Sequence, residues 1–480
     1  MMRSLFLFIT VLVWGCQPQK HETSIPPNII FILADDLGYN DISTYRRLNQ
    51  NPAEKPPTCQ TPNIDQLARE GLQFSNFYCG AAVCSPSRAA LITGRNAARV
   101  GIYNWIPENS PMHLRNEEVT IAEMLKQKDY QTGHFGKWHL TSEGTEQPLP
   151  QNQGFDYAFY TFNNAQPSHH NPVNFHRNGE RVGELEGYSC QLVVDEAITW
   201  LTDHQEKPFY MNIWFNEPHE KVAAPDSLSQ KHAYKQQYYG AIENLDLAVG
   251  KLMNYLKANN LDKNTIIIFS SDNGSQVWGS NAPFRGEKCF NFEGGLRVPF
   301  IVKGTGIPKA NMPVGTVGSF VDILPTIAKI TQTNLPENKV FDGEDLSEVF
   351  YRPQKAFKRE KPVFFYRYFH EPVSMLREEN WVLLGFEEKI PYQPHYNPKT
   401  FAKLKPEPGA PAWSMWGFQE LHMDYLNNQK TQYFELYDME ADAEQKQDVS
   451  NKHPEIVEKM KTKMIHLQEE MIAEGGNWFN

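Results

Sequence analysis

Four short apolar runs, each ending abruptly in a polar cluster, constrain this chain more than any other feature. Residues 28–33 read Asn-Ile-Ile-Phe-Ile-Leu and stop at Ala34-Asp35-Asp36. A continuous β-branched run of that length fits a strand buried on both faces, as in a parallel sheet covered by helices. Residues 130–135 lead in the same way into Gly136-Lys137-Trp138-His139, and residues 209–215 into Asn216-Glu217-Pro218-His219. Residues 266–269 (Ile-Ile-Ile-Phe) end in Ser270-Ser271-Asp272-Asn273-Gly274. Helix-like stretches at 63–70, 119–128, 190–202 and 234–259 lie between the runs. Alternation of this kind predicts an α/β fold, a large mostly parallel sheet sandwiched by helices. From about residue 361 the texture turns aromatic, with strand-like pieces at 363–368, 381–384 and 433–437 and an amphipathic stretch over 454–473. These predict a smaller C-terminal α+β domain, an antiparallel sheet plus a helix. The expected division is a main domain over 28–355 and a C-terminal subdomain over 356–480.

Ligand sites of open α/β sheets lie at the carboxyl ends of the strands, so the four polar clusters are expected to converge. One charged residue after a strand is ordinarily a solvated loop; four clusters, all of chemically useful types, point to a site. Lys+Arg 46 against Asp+Glu 57 gives a net charge of −11 and a pI of about 5.8. Nucleic-acid binding needs a clustered cationic excess that this chain lacks. An anionic ligand must instead be held by a few placed cations.

The N-terminus reads as a targeting segment. Arg3 precedes an almost wholly apolar run over residues 5–14, too short to span a bilayer but suited to a signal peptide. Val13-Trp14-Gly15-Cys16 resembles a bacterial lipobox, apart from the bulky Trp14. The expectation is a signal peptide over 1–15, lipidation of Cys16, a polar tether over 16–27, and export to the periplasm or cell surface, with the lipid as the only membrane contact. Six Cys are present without a CxxC pair, which argues against a zinc ribbon or thioredoxin-type site. Export leaves room for one disulfide among Cys59, Cys79, Cys190 and Cys289.

The decisive segment is residues 84–95, Cys-Ser-Pro-Ser-Arg-Ala-Ala-Leu-Ile-Thr-Gly-Arg. Pro86 suits a first helical turn and Gly94 a helix end. Cys84 is thereby placed at a helix N-terminus, where free N–H groups favour an anion. The segment resembles the Cys-x-Pro-Ser-Arg signature of the formylglycine-dependent sulfatases, within the alkaline-phosphatase-like superfamily. Asp35-Asp36, Gly136-Lys137-Trp138-His139, Pro218-His219, Ser271-Asp272-Asn273-Gly274, Arg285-Gly286-Glu287-Lys288 and residues 293–299 follow in the order that resemblance requires. Glu435-Leu436-Tyr437-Asp438 is similar to the family's closing motif. One departure stands out: Glu287-Lys288-Cys289-Phe290 lacks the small residues usual after this lysine.

The resemblance implies a sulfuric ester hydrolase in which Cys84 is oxidised to formylglycine by a formylglycine-generating or anaerobic sulfatase-maturing enzyme. One hydroxyl of the hydrated aldehyde attacks sulfur and expels the alcohol; the other then loses its proton and sulfate is eliminated. It also implies one calcium ion held by Asp35, Asp36, Asp272 and Asn273, with the modified Cys84 and a sulfate oxygen completing the shell. Lys137 and Lys288 are expected to hold sulfate oxygens, Arg88 to hold the diol and the calcium-side carboxylates, and His139 to bond the diol. His219 is the expected general acid, with Lys288 its rival. Trp138, Glu293 and Arg297 are expected to be scaffold.

The substrate expected from this resemblance and from export is a sulfated sugar of an algal or animal polysaccharide. Aromatic and polar clusters suit sugars: residues 366–370, Tyr392, His395, Tyr396, Trp413 and Trp416 form one, and the loop 163–176 with His169 and His170 another. His170 and Trp416 are the named candidates for substrate binding. Two rival readings are a phosphonate or phosphodiester hydrolase of the same superfamily and an inactive sulfoglycan-binding protein. A two-metal phosphatase needs more His and Asp ligands than the motifs supply.

Overall fold

The computed structural model describes residues 26–48, 59–276, 278–310, 312–368, 370–391, 418, 420–428 and 430–479. Cys16, Tyr392, His395, Tyr396, Trp413 and Trp416 lie outside the described residues. The strands of the main domain are β1 (Asn28–Ala34), β2 (Leu72–Phe74), β3 (Phe77–Tyr78), β4 (Gln131–Lys137), β5 (Tyr157–Thr161), β6 (Phe175–Arg177), β7 (Glu180–Gly183), β8 (Phe209–Trp214), β9 (Thr265–Ser271), β10 (Phe300–Lys303) and β11 (Gly318–Ser319). Nine of them form one sheet in the order β2-β10-β9-β1-β8-β4-β5-β6-β7, and β3 pairs with β11.

The four apolar runs of the sequence are β1, β4, β8 and β9, and they are neighbours. In the order β9-β1-β8-β4 they form the parallel centre of the sheet. All seven residues of β1 are buried. Ile29, Phe31 and Leu33 point into one core, with Leu91 and Ile92 of the helix Cys84–Thr93 and Leu324 and Ile327 of the helix Ile323–Thr331. Ile30 and Ile32 point into the other, with Val193 and Ala197 of the helix Ser189–Thr202 and Leu245 and Val249 of the helix Gln236–Ala258. Two-sided burial is why these strands read as continuous apolar runs. The predicted helices lie where the periodicity puts them, with one exception. Residues 119–128 give only the helix Ile121–Leu125 and a 3₁₀ turn, Lys126–Lys128. A capping box at Thr120 and Glu123 starts that helix late.

The C-terminal sheet is antiparallel, with β12 (Val363–Tyr366), β13 (Ser374–Glu378), β14 (Trp381–Phe386) and β15 (Tyr433–Asp438) in consecutive order. Met460, Met464 and Met471 of the helix Pro454–Gly475 pack into the same core as Leu376 and Leu383 of this sheet. β2, β3, β5, β6, β7, β10, β11 and β13 are not among the sequence expectations. Cys59, Cys79, Cys84, Cys190 and Cys289 are all free thiols, so the disulfide for which the sequence left room is not formed.

A charged cluster clamps the C-terminal helix to the main domain. Arg99, 2% exposed, bonds Asp342 at 2.9 Å, Glu470 at 2.7 Å and Glu474 at 2.6 Å. Arg95 bonds Glu118 at 2.6 Å and also meets Glu474. Removing one partner of such a cluster leaves the others uncompensated, although Glu470 and Glu474 stay partly open to water. Arg99→Ala is expected to destabilise the protein by about 2 kcal/mol, seen as a lower denaturation midpoint by circular dichroism.

Candidate active site

The strand register assembles the site. Ala34 lies opposite Ser271, while Leu33 and Gly136 both lie opposite Trp214. The residues that follow these positions therefore leave the sheet at one edge and at one level. Asp272 N–H donates to Ala34 O at 3.0 Å and Asp35 N–H to Glu217 O at 2.9 Å. Asp36 N–H donates to Asp272 Oδ1 at 3.1 Å, and Leu37 N–H to Ser271 Oγ at 2.9 Å. Asp36 holds a left-handed φ of 61°, a strained state that surrounding contacts must enforce. Gly136, with φ 108°, lets β4 close on β8, because a Cβ there would sit 1.9 Å from Trp214 O. The next residue, Lys137, is thereby delivered to the edge.

Cys84 opens the helix Cys84–Thr93, and Gly94 ends it with a left-handed φ of 66°. One turn on, the Arg88 guanidinium is fully buried. Its Nε and Nη2 donate to Asp272 Oδ2 at 3.0 and 2.8 Å, and Nη1 donates to Lys137 O at 2.8 Å. Nη2 also lies 3.6 Å from Asp35 Oδ1. Lys137 Nζ donates to Asp35 Oδ2 at 2.6 Å and to Asn164 Oδ1 at 2.8 Å. Lys288 Nζ meets Asp36 Oδ2 at 2.7 Å, Cys84 Sγ at 3.4 Å and His219 Nε2 at 3.1 Å. Three carboxylates and three cations thus surround one thiol.

Burial raises Asp35, but Lys137, His219 and Arg88 outweigh it and hold this carboxyl well below the usual range. Burial and the neighbouring Asp35 carboxylate push Asp272 up to about 7 against the pull of Arg88. Burial also pushes the Cys84 thiol up to about 12, despite Lys137 and Lys288. An unmodified thiol here stays protonated near neutral pH and is a weak nucleophile. Burial lowers His139, assisted by Lys137 and Arg88. Its Nε2 reaches Ile106 O at 3.2 Å, and its buried Nδ1 has no partner among the described residues. Burial and Lys288 lower His219, whose Nδ1 contacts Glu220 O at 2.7 Å. That contact assigns the Nδ1 proton and leaves Nε2 to accept from Lys288.

Asp35, Asp36, Cys84 and His219 offer ligand atoms within 4.8 Å of one another, an arrangement able to hold a metal ion. Asp35 Oδ1 and Asn273 Oδ1 are buried without a hydrogen-bond partner among the described residues. Orphaned oxygens among close-set carboxylates are what a bound oxygen-seeking dication relieves.

Cys84, Arg88, Lys137, His219, Lys288, Asp35, Asp36, Asp272 and Asn273 are brought together, linked by the contacts above and by Asn273 Nδ2, which donates to Asp36 Oδ1 at 2.6 Å. His139 bonds none of them but lies near enough for the charges of Lys137, Arg88 and Asp35 to act on it. Trp138 stacks on Trp214, and Glu293 bonds Arg297 at 2.6 Å and Tyr78 at 2.8 Å, as scaffold. His170 is not brought in: it is exposed and stacks on Tyr188 at 4.6 Å. Its neighbour His169 is buried beside Glu217, with Nδ1 3.9 Å from Oε1, and the charges of Asp35 and Lys137 reach it. Asn164, unassigned from sequence, is the second partner of Lys137. Only its place in an Asn-rich loop next to core strands hinted at it.

A thiol and a ring of paired charges at the carboxyl edge of a parallel sheet define an α/β enzyme that handles an oxyanion. The chain belongs to the sulfatase family: the family profile described as Sulfatase matches residues 27–333. Accordingly it is a sulfuric ester hydrolase. Rat N-acetylgalactosamine-6-sulfatase is 31% identical over 373 residues, 71% of this chain and 68% of that protein. Human arylsulfatase A is 31% identical over 371 residues, 71% and 70% of the two chains. The crystal structure of a protein called Ps i-CgsB matches with a TM-score of 0.74 at 25% identity, over 94% of each chain. The same protein was also solved in complex with k-i-k-neocarrahexaose.

Proposed function

We propose that this sulfatase removes sulfate from sulfated sugars, using Cys84 as formylglycine and one calcium ion. The observation that carries the reading is the position of Cys84 at a helix N-terminus, with Lys288 Nζ 3.4 Å from its sulfur and Lys137 and Arg88 locked beside it. Support for a sugar substrate comes from the activity named for the rat relative and from the oligosaccharide bound to Ps i-CgsB.

Oxidation and hydration of Cys84 supply an oxygen nucleophile with a second hydroxyl, the means of releasing sulfate afterwards. Asp35, Asp36, Asp272 and Asn273 would hold calcium, whose charge polarises a sulfate. His219 Nε2 also lies near this group, but it is engaged by Lys288, and a hard cation prefers the oxygens. Arg88 fixes Asp272 through a forked pair of bonds and so orients one wall of the pocket. Lys137 and Lys288 present ammonium groups where negative charge builds on the sulfate oxygens. His139, held neutral, offers Nδ1 to a hydroxyl at residue 84. The proton for the departing alcohol rests on the Lys288–His219 pair, at Lys288 in the resting site.

Cys84→Ala is expected to abolish turnover of 4-nitrophenyl sulfate while the circular dichroism spectrum stays unchanged, since a small residue replaces a small one at a helix start. In the active wild type, mass spectrometry of the peptide spanning Cys84 should show the aldehyde; activity with an unmodified thiol would overturn the reading.

Calcium binding is expected to raise the melting temperature of the wild type and to restore chelator-treated activity. Asp35→Ala should lose both responses. Zinc found in stoichiometric amount in active protein, without calcium, would contradict the ligand assignment.

Residues 5–14 and Cys16 support export as a lipoprotein, which we also propose. Cys16→Ser should move the protein from the membrane fraction to the soluble one and remove labelling by a fatty-acid probe. A wild type that takes up no fatty acid would refute the anchor.

A further inference from the structure

Beside the catalytic cluster opens a cleft of about 240 Å³ that no step above uses. That size lies just below the ~300–1,000 Å³ usual for small-ligand pockets, and the cleft opens outward to solvent. Two of its lining residues touch the machinery: Asn164, which holds Lys137 Nζ at 2.8 Å, and Ile106, whose carbonyl meets His139. A ligand filling it therefore adjoins the reacting group.

The lining has the chemistry of a sugar site. Phe162, half-buried and edge-on to Tyr160, gives an aromatic surface suited to the C–H face of a ring. Glu108 and Gln166 are exposed and Glu143 is half-buried, and none of these three side chains has a hydrogen-bond partner among the described residues. Unspent donors and acceptors of this kind suit hydroxyl edges. Nearby, Asn174 braces the loop, donating to Asn164 O at 2.9 Å and accepting from Gln166 N at 2.8 Å. His170, on the same loop, is not among the lining residues.

Charge narrows the class further. The lining carries two carboxylates, Glu108 and Glu143, against one guanidinium, Arg181. Deeper in the site, Arg88, Lys137 and Lys288 are each already paired with an aspartate. A second anionic group on the ring would meet a net negative wall with one cation to receive it.

We propose that this cleft is the subsite for the sugar ring bearing the scissile sulfate, and that it selects rings with no second sulfate or carboxylate. The proposal rests on the sugar-sulfatase reading above. Its test uses the full chain with Cys84 modified, 4-nitrophenyl sulfate, and monosulfated hexoses and N-acetylhexosamines, each paired with its disulfated counterpart. A monosulfated sugar should exceed its disulfated partner in kcat/KM by about tenfold, and Glu108→Gln with Glu143→Gln should close most of that gap by removing the repulsion. Gln166→Ala with Arg181→Ala should lower the sugar-to-aryl sulfate ratio of kcat/KM by about tenfold, the worth of one or two hydrogen bonds. Disulfated sugars turned over as well as monosulfated ones, or cleft variants that scale both substrate types equally, would overturn the proposal. Turnover of aryl sulfate with no sugar hydrolysed would also overturn it, leaving the sulfatase assignment intact. Modified protein inert on every sulfate ester would instead bring down the catalytic reading beneath it.

Discussion

The forked bond between Arg88 and Asp272 is the interaction on which the site depends. Both side chains are fully buried, and neither is tolerable there alone. Asp272 also accepts the N–H of Asp36, so the same carboxylate ties the helix Cys84–Thr93 to the ends of β9 and β1. Arg88 in turn holds the carbonyl of Lys137 at the end of β4 and lies 5.3 Å over the Trp214 ring of β8. One guanidinium therefore gauges all four central strands. The three aspartates would repel one another in a dry pocket; three buried cations make their proximity stable, and the resulting near-neutral cluster retains orphaned oxygens for a further positive charge.

The sheet makes this possible through register rather than through any one strong bond. Because β9, β1, β8 and β4 are parallel and in step, four loops begin at the same height without individual design. Gly136 is the local exception that proves costly to change: the bulk of a Cβ would push β4 away from Trp214 and take Lys137 with it. Asp36 and His139 both have positive φ. Loops that turn this sharply at strand ends bring short side chains back over the edge instead of out into water.

Legibility followed burial. β1 and β9 were readable because both faces are dry, which leaves no polar residue to break the run. β13 was not, because Ser374 and Arg377 are buried while polar: Arg377 meets Tyr78, and Ser374 meets Gln468 at 3.1 Å. Their contacts are distant in sequence, so no local pattern announces them. The cysteine signature and the strand-end clusters named the residues that the structure joins, since these motifs encode both chemistry and turn. Asn164 escaped because a single amide in a loop has no periodicity, and His170 was named for its chemistry although Tyr188 holds it elsewhere. The unusual Cys289 has a physical counterpart: its φ is 78°, a left-handed value natural to glycine and strained for cysteine.

That strain shows why the second domain is needed. Lys288 stands on a loop with little regular structure, the only element between it and Pro299 being the one-turn helix Glu293–Leu296. The C-terminal sheet supplies the missing rigidity. Arg285, before the lysine, bonds Tyr437 Oη at 3.1 Å and lies 4.1 Å from the Phe292 ring. Asn291, after it, donates to Val373 O at 3.2 Å, and Glu293 N–H donates to Gln445 Oε1 at 3.3 Å. From the main domain, Cys289 N–H donates to Ala82 O at 2.8 Å. The loop is thus pinned on both sides of Lys288, and a strained residue next to it can persist because its neighbours over-determine the backbone. Tyr437 of β15, with the Val373 carbonyl and Gln445, thus serves to hold a catalytic-site ammonium within reach of Cys84.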